Sequence, residues 1–158
     1  MVSERSSKSG IRKIERAKLD SRNRLIVPSE ITEEMAWFDR SRAFDCLLRF
    51  DEPGRICLLS PEVLARLRDV EAQLLELPDG DDKWDQSLLL GIRFQPVTFE
   101  KDSRLTLTKE AIVHLKIANE LPEEMWVVRR GAQIEVWNDL FRNESIARSR
   151  KMFRGVVD

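Results

Sequence analysis

One segment near the amino terminus, residues 18–31, combines apolar positions of a β-rich run with a polar interruption. Three apolar residues mark the strands of this segment: Leu19, Leu25 and Val27. The polar stretch between the first two predicts a sharp kink between two short strands. Asn23 suits this kink, because asparagine tolerates a left-handed backbone better than most residues. Pro28 ends the second strand and Ser29 can cap a helix, so the segment ends in a helix start.

Turn and cap residues predict the other elements of the first half. In chain order these are a short helix over 29–37, strands over 43–50 and 55–59 joined by a turn over 51–54, and an amphipathic helix that begins at the Ser60 cap and ends before Pro78. A loop over 79–82 and a second short helix over 84–90 follow. This half therefore reads as strand, strand, helix and hairpin, followed by longer helices.

The same pattern returns about 80 residues later. Residues 100–111 align with residues 20–31, with acid on acid at 20 and 100 and arginine on arginine at 24 and 104. The predicted elements of this half are a strand pair over 97–107, a short helix over 108–117, strands over 125–130 and 133–137 joined by a turn over 130–132, and a last helix from the Asn138 cap to about residue 153. The sequence thus predicts a two-copy chain.

The predicted organisation is α+β. It comprises a disordered arm (1–10), a first repeat (11–61), a helical connector (62–92), a second repeat (93–138) and a C-terminal helix and tail (139–158). Units as small as these repeats rarely bury a stable core alone. We therefore expect the two repeats to pack into one closed β-barrel-like unit with the longer helices outside.

Charge is unevenly distributed along the 158 residues, although the net charge is only -1. Residues 1–24 contain eight Lys or Arg and three Asp or Glu, whereas residues 62–87 contain eight acids and three bases. A basic first region and an acidic connector follow. We expect the acidic connector to form an edge that meets a basic edge of a neighbouring subunit.

The remaining composition favours a cytoplasmic, non-enzymatic protein. Cys46 and Cys57 lie in apolar runs, which indicates buried, reduced thiols and leaves a hairpin-spanning bridge as the alternative. The single histidine, His114, excludes a multi-histidine metal site. We find no signal peptide, no apolar run long enough for a membrane span, and no phosphate loop or nucleophile elbow.

The doubled motif resembles the MraZ family of division and cell wall cluster transcriptional repressors, which are built from two SpoVT-AbrB (swapped-hairpin) domains. The segments 20–24 and 100–104 match the family pattern of an acid, three residues and an arginine, and the segment 126–138 is similar to its closing hairpin. The resemblance covers roughly residues 15–150. The chain departs from the family pattern at Asn23 and Ser103, where glycine is usual, and at Thr108, where proline is usual.

The resemblance implies a nucleoid-associated repressor that binds repeated promoter sites in double-stranded DNA as a homo-oligomer, often a ring. It implies no cofactor, membrane or small-molecule substrate. We expect Arg22 and Lys101 to contact phosphates and Arg24 to reach a guanine edge. The full set of candidate DNA-binding residues is Arg12, Lys13, Arg16, Lys18, Asp20, Arg22, Arg24, Glu100, Lys101 and Arg104.

Structural roles are the alternative for many of these residues. Asp20 and Arg24 can form an intramolecular pair that shapes the kink, and Glu100 with Arg104 is expected to be structural. The basic residues of 11–18 can be a solvated strand face, and the tryptophans at 37, 126 and 137 are expected to fill the core or an interface. The basic C-terminal residues Arg148, Arg150, Lys151 and Arg154 can meet either DNA or a subunit. The competing function is an oligomeric protein-interaction or antitoxin-like barrel that has lost DNA binding.

Overall fold

Eight antiparallel strands close into a barrel in the computed structural model, which describes residues 12–117 and 121–152. In chain order the elements are β1 (Arg12–Leu19), β2 (Arg24–Ile26), α1 (Ser29–Thr32), β3 (Phe44–Phe50), β4 (Arg55–Leu59), α2 (Pro61–Glu76), α3 (Asp81–Arg93), β5 (Phe94–Glu100), a 3-10 turn (Lys101–Ser103), β6 (Arg104–Thr106), α4 (Lys109–His114), β7 (Glu123–Arg130), β8 (Gln133–Trp137) and α5 (Asp139–Met152). The predicted arm over 1–10 and the tail beyond residue 152 lie outside the described residues. The expected barrel-like α+β unit is confirmed at this level.

The order of strands around the barrel is β1-β2-β6-β5-β3-β4-β8-β7, with β7 returning to β1. The β1–β7 seam is the longest and runs from Arg12 opposite Arg130 to Leu19 opposite Glu123. Four of the eight seams join a strand before residue 60 to a strand after residue 93. The two halves therefore interleave and share one interior.

The main core fills the barrel with alternate residues of the strands, as a period-two pattern requires. Leu19, Leu25, Phe99 and Leu105 are fully buried there. Two smaller clusters lie outside the sheet, one beneath α2 around Leu47, Cys57, Leu59 and Leu64, and one beneath α5 around Val128, Trp137 and Phe141. Because α2 and α5 each cover part of the outer surface, the strands beneath these two helices carry apolar residues on both faces.

Two of the three predicted helix caps are confirmed, at Ser60 and at Asn138. The predicted cap at Ser29 is wrong, because Ser29 is the first residue of α1 and the N-cap position is Pro28, which makes no side-chain hydrogen bond to the helix. Ser60 accepts a hydrogen bond from the Val63 amide through its hydroxyl at 3.3 Å. Asn138 accepts from the Phe141 amide at 2.6 Å, and its own side-chain amide donates to the Leu115 carbonyl. Gly54 packs against this cap with φ +95°, and a Cβ at Gly54 would lie 3.0 Å from Asn138 Oδ1. The cap thus joins the β3–β4 turn, the end of α4 and the start of α5.

Three helices have boundaries that differ from the predicted ones. The helix predicted over 29–37 ends at Thr32, and turns then carry the buried Met35 into the barrel end. Since Ile31 and Met35 are buried either way, their spacing could not distinguish a helix from a turn. The helix predicted over 108–117 ends at His114, because Lys116 adopts a left-handed backbone.

The helix predicted over 84–90 is longer and covers Asp81–Arg93. Its extra residues suit the helix dipole, with two aspartates in the first turn and an arginine in the last. The predicted loop shortens accordingly to residues 79–80.

The two cysteines are free and buried, as predicted for reduced thiols. Cys46 belongs to the core inside the barrel, whereas Cys57 belongs to the outer cluster beneath α2. The two side chains therefore occupy opposite faces of the sheet. Burial raises the pKa of each thiol to about 12, so neither forms a thiolate at neutral pH.

Candidate nucleic-acid interface

The first kink is held by Asp20. Its Oδ1 accepts from the backbone amides of Arg22 at 2.8 Å and Arg24 at 2.9 Å, and its Oδ2 accepts from Arg24 Nε at 2.9 Å. Asn23 has φ 62°, which confirms the predicted left-handed residue. These amide bonds, that from Arg24 first, hold the pKa of the Asp20 carboxyl below its usual value. The predicted Asp20–Arg24 pair is therefore present in the fold.

The second kink is built differently, although it occupies the matching place in the chain. Asp102 and Ser103 both have left-handed backbones, with φ 68° and 64°. The Asp102 amide donates to the Arg40 carbonyl at 3.2 Å. Glu100 and Arg104 are opposite one another in the β5–β6 seam, but no ion pair among the described residues joins them. The structural pair expected here is therefore not formed as an ion pair.

The two kinks contact one another through the backbone. The Leu107 amide donates to the Asn23 carbonyl at 2.8 Å, and the Val27 amide donates to the Ser103 carbonyl at 3.0 Å. Each kink residue thus binds the chain just beyond the other kink. This exchange fixes the positions of the two turns relative to each other.

A short ribbon, formed by β2 and β6, lies between the kinks. Leu25 and Leu105 are opposite each other and point into the core. Because side chains alternate along a strand, the flanking ribbon residues point outward. These are Arg24 opposite Thr106 and Ile26 opposite Arg104. The structure therefore brings the two motif arginines onto one outer surface, which we call the ribbon face (Arg24, Ile26, Arg104 and Thr106).

Strand β1 extends this surface on one side. Arg16 and Lys18 are exposed, while Ala17 and Leu19 are buried. Lys13 has the same parity along β1 as the buried Ala17 and Leu19, and its Nζ lies 3.8 Å from Glu33 at the barrel end. Lys13 therefore does not share the face of Arg16 and Lys18. The side chain of Arg12 lies outside the described residues.

Arg16 has close partners within the protein. It forms a 2.7 Å ion pair with Glu124 on the neighbouring strand, and its guanidinium lies 4.8 Å from the centre of the Trp126 ring. Arg142 of α5 lies 4.1 Å from the same ring, whose Nε1 donates to Asp139 at 2.6 Å. Sequence reasoning missed Arg142, because only the fold brings α5 against Trp126 of β7, which Arg16 also contacts.

Four candidate cations form no ion pair among the described residues: Lys18, Arg22, Lys101 and Arg104. The first three are exposed, and Arg104 is half-buried. Arg24 uses only its Nε for Asp20, so its two terminal nitrogens make no hydrogen bond among the described residues. This surface thus presents donors that suit phosphate oxygens or the edge of a base.

Aromatic and metal-binding groups do not add to this surface. Trp37, Trp126 and Trp137 are half-buried or buried, as expected for packing residues. His114 is half-buried, its ring packs on Phe50, and its Nε2 lies 3.1 Å from the Glu52 carbonyl. Within the part of the chain that is described, no group of three His, Cys, Asp or Glu side chains could hold a metal ion.

No known family model matches the chain, and no curated protein matches it either. In the described ranges, the helices are all too short or too polar to cross a membrane.

Proposed function

We propose that this protein is a sequence-specific DNA-binding transcriptional regulator of the MraZ type. It acts in the cytoplasm on the nucleoid, as a homo-oligomer on repeated promoter sites, without a cofactor and without enzymatic activity. The observation that carries the proposal is the ribbon face, where Arg24 and Arg104 lie on one outer surface beside exposed, unpaired cations. Such a surface can contact phosphates while one arginine reads a base.

We further propose that the barrel consists of two SpoVT-AbrB repeats, over 11–61 and 93–138. Exchanging β1–β4 with β5–β8 leaves the strand order around the barrel unchanged, which supports this assignment. The ribbon register is also unchanged, since Leu25 faces Leu105 at its centre. Each repeat ends in a hairpin whose next residue caps a longer helix, Ser60 in one and Asn138 in the other.

Arg24 is the base-reading residue in this proposal. Asp20 holds its Nε, and this bond orients the guanidinium while leaving both terminal nitrogens free. A guanidinium in that state can donate two parallel hydrogen bonds to O6 and N7 of guanine in the major groove. Lys18, Arg22 and Lys101 supply phosphate contacts, because they are exposed and unpaired.

A protein-interaction barrel is the second candidate, and one observation favours it. Three candidate cations, Lys13, Arg16 and Arg24, already have acidic partners at 3.8, 2.7 and 2.9 Å. This neutralises part of the basic surface. The two functions differ in how the binding affinity depends on salt. Contacts with DNA phosphates release counterions, so the affinity for DNA falls steeply as salt is added. Contacts with another protein release far fewer counterions.

The test is fluorescence anisotropy with duplex DNA from upstream of the protein's own gene and with a scrambled duplex, over a salt series. We expect a preference for the upstream duplex and a steep loss of affinity with salt. Arg24→Ala should weaken upstream binding by roughly 1–3 kcal/mol, the range for a bidentate base contact. Arg24→Lys should retain binding to the scrambled duplex but lose the preference, because an ammonium cannot form the fork.

Arg68→Ala is the matched control. It removes an exposed arginine from α2, on the acidic connector, and should bind as the wild type does. Circular dichroism of each variant shows whether the barrel is intact. Absence of binding by a folded wild type at low salt would refute the DNA-binding proposal and favour the protein-interaction barrel.

A further inference from the structure

Helix α3 carries its apolar side chains on the outside. Trp84, Leu88 and Ile92 follow one another at four-residue spacing, and together with Leu89 they are between 57% and 64% exposed. The inner side of the helix instead carries Lys83, which is buried and donates to the Leu75 and Leu77 carbonyls and to Asp79. A surface helix normally buries its apolar stripe, but within the described ranges this stripe has no packing partner.

A groove continues the stripe towards the barrel. It has a volume of about 1130 Å³, and Leu89 and Ile92 form one wall. Val113 of α4, which is 75% exposed, lies on the opposite wall, and Phe50 and His114 also line the groove. Stripe and groove thus form one apolar surface between α3 and α4, which we call the α3 face (Trp84, Leu88, Leu89, Ile92 and Val113).

We propose that a second copy of this chain covers the α3 face, with the two α3 helices packed antiparallel about a two-fold axis at Leu88. In this arrangement the Trp84 side chain of each copy enters the groove of the other. Residues four positions before and after Leu88 then face each other, so Trp84 meets Ile92 across the axis. Such a contact is self-complementary, as a two-fold interface must be.

The charges on α3 select the antiparallel arrangement and a partner of the same kind. The amino-terminal half carries Asp81, Asp82 and Asp85, whereas Arg93 closes the helix and Lys109 stands on the groove rim. Antiparallel packing brings each acidic end to the basic end of the other copy, and it also opposes the two helix dipoles. A parallel arrangement would place acid on acid.

Two acidic residues also lie on the rim. Asp51 is almost fully buried and is ion-paired with Arg49 at 2.6 Å and with Arg55 at 3.4 Å. Glu110 is as exposed as Arg93 and Lys109, so the accessible rim carries two cations and one acid. The rim therefore presents Arg93 and Lys109 as its accessible cations.

This inference deepens the proposed function, because it names the surface through which copies associate. It differs from the head-to-tail contact between acidic and basic edges that the sequence predicted. None of the residues that line the groove belongs to the ribbon face, so pairing and DNA binding can be tested separately.

The mass of the full-length protein in solution, measured by light scattering after gel filtration, tests the pairing. We expect the wild type to elute as a dimer or a multiple of one. Trp84→Glu and Leu88→Glu should halve the mass of the particle while the circular dichroism spectrum stays unchanged. Ile26→Glu is the control, since Ile26 is an equally exposed apolar residue on the ribbon face, and it should leave the mass unchanged.

Disulfide cross-linking tests the geometry. Leu88→Cys should form a covalent dimer on mild oxidation with diamide, because an antiparallel contact brings this position next to itself. Ile26→Cys should not, and the buried Cys46 and Cys57 should not interfere. A monomeric wild type at tens of micromolar, or a mass unaffected by both α3 variants, would overturn the pairing. If the wild type dimerises but does not bind DNA at low salt, only the proposed function is overturned.

Discussion

Arg24 shows how one residue can serve the fold and still be available to a ligand. Its amide and its Nε both bind Asp20, so the kink depends on it. Its terminal nitrogens make no hydrogen bond to the described residues. The sequence allowed either a structural pair or a DNA contact, and the geometry of the pair is compatible with both.

The titration of Asp20 is a prediction at this scale. The amide of Arg24 contributes most to its lowered pKa and the Arg24 side chain contributes less, so Arg24→Ala should leave the pKa below 3.8. Carbon-detected NMR of the side-chain carboxyl measures it directly. A return to the ordinary value in this variant would show that the guanidinium dominates instead.

The sign of the corresponding pH effect follows from the same shift. A group whose pKa is lowered by folding stabilises the protein above its unfolded-state pKa and loses this effect as the pH falls. Acidification below about pH 3.8 should therefore weaken the first kink. Asp20→Asn should lack this part of the pH dependence in urea unfolding.

Ser103 in the second kink lowers the stability of the fold in a way that Asn23 in the first kink does not. It has φ 64°, is buried, and its hydroxyl has no hydrogen-bond partner in the part of the chain that the structure describes. Ser103→Gly removes both the left-handed strain and the unpaired hydroxyl, so it should stabilise the protein by about 1 kcal/mol. Urea denaturation measures the difference. Asn23→Gly is the comparison and should gain less, because asparagine tolerates this backbone.

At the scale of elements, the two helix caps are equivalent in the sequence but not in the structure. The Ser60 side chain accepts one hydrogen bond, from its own helix. The Asn138 side chain accepts one from Phe141 and donates one to the Leu115 carbonyl, and the Asn138 amide donates to the Gly54 carbonyl. These bonds link α5 to the end of α4 and to the turn at Gly54. The residue types identified both caps. The additional partners of Asn138 depend on tertiary packing, and local pattern could not reveal them.

The expected consequence is a difference in stability between two alanine variants. Ser60→Ala should cost about 1 kcal/mol, as for an ordinary cap. Asn138→Ala should cost about 2–3 kcal/mol, because it leaves buried polar groups of α4 and α5 without partners. Thermal and urea unfolding of the two variants provide the comparison. Equal losses would mean that Asn138 acts as a simple cap.

The positions of the strands along the chain followed well from the sequence. The pairing of strands and the ion pairs between them did not. Strands β3, β4 and β8 begin and end within one residue of their predicted bounds. The pairing of β1 with β7 joins residues more than 100 positions apart, and no local pattern encodes it. For this reason the acidic neighbours of Lys13 and Arg16, Glu33 and Glu124, could not be anticipated.

At the scale of the whole molecule, the barrel separates the two charged regions of the chain. Strand β3, against which the acidic helix α2 packs, is four strands from β1 in either direction around the barrel. The basic strand and the acidic connector therefore lie on opposite sides. The sequence showed that charge is unevenly distributed along the chain. The strand order places the basic and the acidic segments on opposite sides of the barrel.

Because four seams join the two halves, neither half should fold as a monomer. Residues 1–92 and 93–158, produced separately, should give amide NMR spectra without dispersion at low concentration. Every strand would lose one of its two neighbours in the barrel, and apolar residues of the shared core would be exposed. A dispersed spectrum from either fragment as a monomer, checked by ultracentrifugation, would contradict this.

The long β1–β7 seam also has a consequence for biosynthesis. Strand β1 is translated more than 100 residues before its main partner, residues 123–130. During this interval the edge of β1 that faces β7 has no native partner, although Leu19 at the end of the strand can already pair with Leu25 of β2. Contacts of such sequence separation form slowly and expose the nascent chain to aggregation. The barrel can close only after β7 and β8 have emerged, so β1 keeps one open edge until then.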